Sequence, residues 1–114
     1  MKKFSILVLV FAVFFTSCTF KKVDSLPAGC TSTIYYETDI KPIVNTYCVS
    51  CHTYGGIGPG NYSLYVDLKA AADNGKIHNR VFVLKDMPQT GAAQLSQDEL
   101  SKLNCWLEQG APEN

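Results

Sequence analysis

The sequence predicts an all-α domain, and three observations carry that expectation. Ser96 and Glu99 stand at the spacing of a capping box, in which each side chain satisfies the other's backbone N–H, and they open the clearest helix in the chain. Asp39 precedes Ile40, Ile43, Val44 and Tyr47, whose three-and-four spacing gives a second helix one apolar side. Between the two, residues 54–61 hold four glycines and one proline, which enforces a loop.

In chain order, Met1-Lys2-Lys3 is a basic start, residues 4–15 are mostly apolar, and Thr16-Ser17-Cys18 follows, the layout of a bacterial export signal. The apolar run is shorter than the ~20 residues a bilayer requires. A cleaved signal over residues 1–17 is therefore expected, not a membrane-spanning helix. Cys18, placed directly after the apolar run, resembles the lipobox cysteine of bacterial lipoproteins, and the resemblance implies a lipidated mature N-terminus. Phe15 departs from that pattern, where Leu is usual, and ordinary cleavage with a free Cys18 is the alternative. Residues 18–29 read as a lipidated N-terminus and tether, and residues 30–114 as the folded domain.

Pro42 falls in the first turn of the helix that starts at Asp39, where its missing N–H is harmless. A further helix is expected over residues 64–73, ending at Asn74-Gly75, with a short helical turn over 77–83. In the last helix Leu100, Leu103 and Leu107 share one face with Trp106 on its flank, and Gly110 and Pro112 close it. Cys105 lies roughly opposite those leucines, since each residue turns by about 100°.

The chain has five cysteines. In an exported protein thiols rarely stay free. Cys18 is assigned to lipid, and the close pair Cys48 and Cys51 precedes His52, which is the attachment motif of c-type haem. Two thiols three residues apart at a helix end can reach the two vinyl groups on one porphyrin edge, while the next imidazole rises onto the iron. Cys30 and Cys105 remain, and an even remainder implies a disulfide between them. A thioredoxin-like pair would want a βαβ context that is missing here, and a zinc site built from Cys30, Cys48, Cys51 and Cys105 would leave His52 unexplained.

With these residues in view, the chain resembles the class I-like monohaem cytochrome c domains of bacterial envelope proteins. The resemblance rests on Thr38-Asp39-Ile40-Lys41-Pro42-Ile43 before Cys48-x-x-Cys51-His52, then Met87-Pro88, Leu95-Ser96 with Glu99, and Trp106 with Gly110-Ala111-Pro112. It implies a small cytochrome c fold, three to five helices around one covalently bound haem c, with the first and last helices packed together. The sixth iron ligand has two candidates downstream, Met87 and His78, because Met1 leaves with the signal. The resemblance places an axial methionine in such a Met-Pro, which selects Met87. A carbonyl of Gly58-Pro59-Gly60 is a candidate acceptor for the His52 Nδ1 proton, and Tyr47, Tyr54, Tyr62 and Tyr65 are candidate walls of the pocket.

Ten Lys plus Arg stand against ten Asp plus Glu, and loss of Lys2 and Lys3 leaves eight against ten. That balance argues against nucleic acid and offers no strong steering patch. The expected function is one-electron transfer with His/Met ligation, no enzymatic activity, redox proteins as partners, and a monomer held to a bacterial membrane as a periplasmic or outer-membrane lipoprotein. The alternative is a haem enzyme or sensor whose sixth position opens to peroxide or a small gas. A third reading is a structural lipoprotein in which the motif is coincidental.

Overall fold

The computed structural model describes residues 29–114. The expected signal over 1–17, the anchor Cys18 and all but the end of the tether lie outside the described residues. Among the described residues every regular element is helical and no strand occurs. No helix among the described residues is long and apolar enough to cross a membrane.

A π-helical turn, Tyr36–Ile40, runs directly into α1, Lys41–Tyr47. Helical structure thus begins three residues before Asp39, the residue expected to cap it. The Asp39 carboxylate still satisfies a donor at the helix start, accepting from the Tyr35 N–H at 3.0 Å from inside the turn. Pro42 sits in the first turn of α1 as the sequence requires. α2, Tyr65–Asp73, ends at Asn74 and Gly75. α3, Lys76–His78, continues as a second π-helical turn, Asn79–Val83, and α4 is Gln97–Glu108.

The box that opens α4 is formed in both directions. Glu99 N–H donates to Ser96 Oγ at 3.3 Å, and Ser96 N–H donates to Glu99 Oε2 at 2.8 Å. These bonds, the backbone one foremost, hold the Glu99 carboxyl below the usual carboxylate range. Tyr47 O–H donates to the same Oε2 at 3.0 Å, which ties the end of α1 to the start of α4.

Trp106, Ile40 and Leu68 are the largest fully buried side chains. Trp106 is the centre of the core and not a flank: Leu103 is buried with it, whereas Leu100 and Leu107 are half-buried. The reason lies in the chain's return beyond α4. Ala111 N–H donates to Trp106 O at 2.8 Å, and the indole N–H donates to Pro112 O at 2.9 Å, so the large ring is enclosed with its polar atom satisfied. Tyr36 stacks on Trp106 at 6.1 Å between centroids and meets Tyr65 edge-on at 4.9 Å, and Tyr65 O–H reaches Ala111 O at 2.8 Å. The first π-helical turn therefore packs on α4, so the first and last helical segments lie together.

The side of α4 turned away from its leucines carries Cys105, whose sulfur lies 2.07 Å from that of Cys30, with Cα atoms 5.6 Å apart. That is a disulfide pair. Gln109 braces the same strap, accepting from Ile34 N–H and donating to Ser32 O, each at 3.0 Å. A sequence separation of 75 makes the closed loop long, and on the chain-entropy model such a bridge contributes about 4 kcal/mol. Cys30 and Cys105 are accordingly expected to resist alkylation until reduced, and Cys105→Ser to lower the unfolding free energy by about 2–5 kcal/mol. Intact mass after alkylation and denaturant titration measure both, and two labelled thiols in unreduced protein would exclude the bridge.

Candidate functional site

α1 delivers its C-terminus to the cysteine motif. Cys48 N–H closes the helix on Val44 O at 2.9 Å, and the chain then tightens, with Cys48 O accepting from Cys51 N–H at 3.2 Å and His52 N–H at 2.9 Å. Cys48, Cys51 and His52 thus leave a single turn. The loop beyond folds back on that turn: Gly58 N–H donates to Cys51 O at 2.9 Å and Tyr62 N–H to His52 O at 2.8 Å.

This return fixes the imidazole. His52 Nδ1 lies 2.7 Å from Pro59 O. A carbonyl oxygen only accepts, so Nδ1 carries a proton, and Nε2 is the ring nitrogen left outside that bond. Tyr62 stacks on the ring at 4.5 Å with planes 9° apart, fixing its orientation. The loop comes this close only where side chains are missing. A Cβ on Gly58 would stand 2.7 Å from both Nδ1 and Cε1 of His52, and one on Gly56 would stand 2.3 Å from the Cys51 carbonyl oxygen.

Cys48, His52 and Met87 line one cavity of about 440 Å³, within the usual range for a cofactor site. Its floor is made by buried apolar residues, among them Ile43, Val44, Leu68, Ile77 and Leu103, and its rim by the exposed Lys76, Asn79 and Arg80. Cys51 is half-buried beside the cavity, without lining it. His78 is exposed, stacks on Phe82, and does not line the cavity. Of the four tyrosines, Tyr47 and Tyr62 are walls. Tyr54 is 93 % exposed and Tyr65 belongs to the Trp106 cluster, so these two are not. Aromatic content marked the region, but direction came from the backbone.

Burial pushes the Cys48 thiol up to about 11. A thiol-exchange centre requires the opposite shift, toward thiolate at neutral pH. The four-cysteine zinc alternative loses two ligands, since Cys30 and Cys105 are bonded to each other. The donors left on the cavity are an imidazole nitrogen, a thioether and a thiol, and the rim carries Lys76 and Arg80. This set fits a flat apolar group with iron at its centre and carboxylates on one edge. The sequence reading missed Gly56, Tyr62 as a stacking partner of His52, and the rim cations. Only Gly56 had a local signal, its place in a glycine-rich return loop.

Comparison of the chain with protein-family models, with curated proteins and with solved structures gives no match.

The His52–Pro59 contact makes a prediction independent of any cofactor. Nitrogen chemical shifts of the His52 ring should report a single Nδ1–H tautomer, and Gly58→Ala should abolish that preference, because its Cβ overlaps the ring. An unchanged tautomer in Gly58→Ala would show that the loop does not hold the imidazole.

Proposed function

We propose that this chain is a monohaem c-type cytochrome of the class I-like kind: Cys48 and Cys51 attach one haem c, His52 and Met87 are its axial ligands, and the protein transfers single electrons without acting as an enzyme. The observation that carries this reading is the one cavity lined at once by Cys48, His52 and Met87, in which the His52 Nδ1 proton is committed to Pro59 and Nε2 is free. When bound, the haem iron supplies one-electron chemistry by alternating between ferrous and ferric.

The chain's own residues have separable parts in this. Pro59 O orients His52 and raises its basicity as a ligand. Met87 offers a soft sulfur, which favours the ferrous state and raises the potential. The apolar floor would keep water from the group, and Lys76 at the rim, with Arg80 beside it already paired with Asp86, would meet its carboxylates. Cys48, on the cavity, and Cys51, beside it on the same turn, would hold the group covalently through their sulfurs. Lipid on Cys18 would tether the domain to a bacterial membrane within reach of redox partners.

The second reading, an open sixth position that takes peroxide or a small gas, draws on a further cleft bordering Met87. One set of measurements separates the two. Protein made with a haem-attachment system should stain for haem on denaturing gels, and Cys48→Ala or Cys51→Ala should each lose one covalent bond. Met87→Ala should lower the reduction potential by a fraction of the roughly 0.8 V that axial ligation commands, and ferrous Met87→Ala should bind carbon monoxide readily where wild type binds it poorly. His78→Ala should change neither. Rapid gas uptake by wild type, with Met87→Ala unchanged, would favour the open-site reading, and absence of covalent haem would sink both.

A further inference from the structure

Met87 sits in a segment with open space on two sides. The cavity described above lies on one, and a cleft of about 580 Å³, lined by Phe82, Lys85, Leu100 and Asn104, lies on the other; Met87 and Pro88 border both. Val81 and Leu95, partly buried and packed on the core, border both spaces as well, whereas Lys85, Asp86 and residues 89–94, which flank the methionine in the chain, are exposed. Packing contacts hold a side chain only where neighbouring atoms fill the space. Packing beside Val81 and Leu95 leaves the exposed chain on either side of the methionine to be held by hydrogen bonds.

Hydrogen bonds do so at both ends, from Arg80 mostly through its backbone carbonyl and from Gln94 through its side chain. On the entry side Arg80 O accepts from Asp86 N–H at 3.0 Å and Met87 N–H at 3.3 Å, while Arg80 Nε donates to Asp86 Oδ1 at 2.8 Å. On the exit side the Gln94 amide nitrogen lies 3.3 Å from Pro88 O, 3.2 Å from Gln89 O and 3.0 Å from Ala92 O. A primary amide has two hydrogens, so three converging carbonyls share them, and only a donor can sit at their focus. The Arg80–Asp86 pair is exposed and worth little by itself. The Gln94 bonds are exposed as well, but three of them converge on one amide, so beside the backbone bond from Met87 N–H to Arg80 O the principal side-chain clamp is Gln94.

We infer that Gln94, assisted by Arg80, is a positioning residue that holds Met87 toward the cavity and so sets how often the sulfur leaves the iron. The inference rests on the axial role proposed for Met87. Gln94 is exposed, so its replacement leaves the core intact. Gln94→Glu keeps the shape but turns an acceptor toward three acceptors, which should release the segment.

The test uses ferrous holoprotein and carbon monoxide in four forms: wild type, Gln94→Glu, Met87→Ala and the double variant. Gln94→Glu should raise the uptake rate about tenfold, equivalent to ~1.4 kcal/mol, and lower the reduction potential. Arg80→Gln, which keeps its carbonyl, should do less. In the Met87→Ala background Gln94→Glu should add nothing, because no methionine remains to be positioned. If Met87→Ala speeds uptake but Gln94→Glu does not, or if Gln94→Glu acts equally in both backgrounds, the positioning role is overturned and the axial reading stands. If Met87→Ala alters neither uptake nor potential, the axial role falls and the positioning role with it.

Discussion

The bond from His52 Nδ1 to Pro59 O, 2.7 Å long, is the contact on which the site depends. It selects one tautomer and turns the other nitrogen free. It also requires the chain after the cysteine motif to reverse at once and return against the ring it serves. The Gly58 and Tyr62 backbone bonds to Cys51 and His52 make that reversal, and Gly56 and Gly58 make it sterically possible, since a Cβ at either would overlap the motif. The glycines are needed here for close approach more than for turning.

That reversal would be worthless if the motif were not itself anchored. Cys48 closes α1, and α1 continues the turn whose Ile40 is fully buried and whose Tyr36 stacks on Trp106. At its other end Tyr47 is held by Glu99, so the helix that carries the motif is fixed to α4 at both ends. Cys30 and Cys105 then close the strap over the far side of α4. The cavity is the space this frame leaves between α1, α3, α4 and the methionine segment.

Local rules made the frame legible in the sequence. The α4 capping box, Pro42 in the first turn of α1, the end of α2 at Asn74 and the pairing of the two leftover cysteines all follow from short-range chemistry or from counting thiols. The departures share one cause. Tyr36 begins a helical turn ahead of Asp39 because Trp106 stands beneath it, and Trp106 is central because Pro112 returns over its indole N–H. Both are contacts between residues far apart or beyond a helix end, which periodicity does not encode. Tyr54 and Tyr65 were misplaced for the same reason: an aromatic residue announces burial or an interface but not the side it faces.

The two proposed ligands are held by different physics, and this asymmetry bears on which side of the site yields first. His52 is enclosed by a stacked ring, by a backbone acceptor and by glycines with no room to move toward it. Displacing it means reopening the loop, with the loss of two backbone bonds to the motif. Met87 is bordered by open space on two sides and held through exposed hydrogen bonds to its neighbours, each worth about 0.5–1.5 kcal/mol net. Local opening follows the weakest set of contacts. On the proposed reading, ligand exchange therefore occurs on the methionine side, while the attachment turn and its imidazole stay in place.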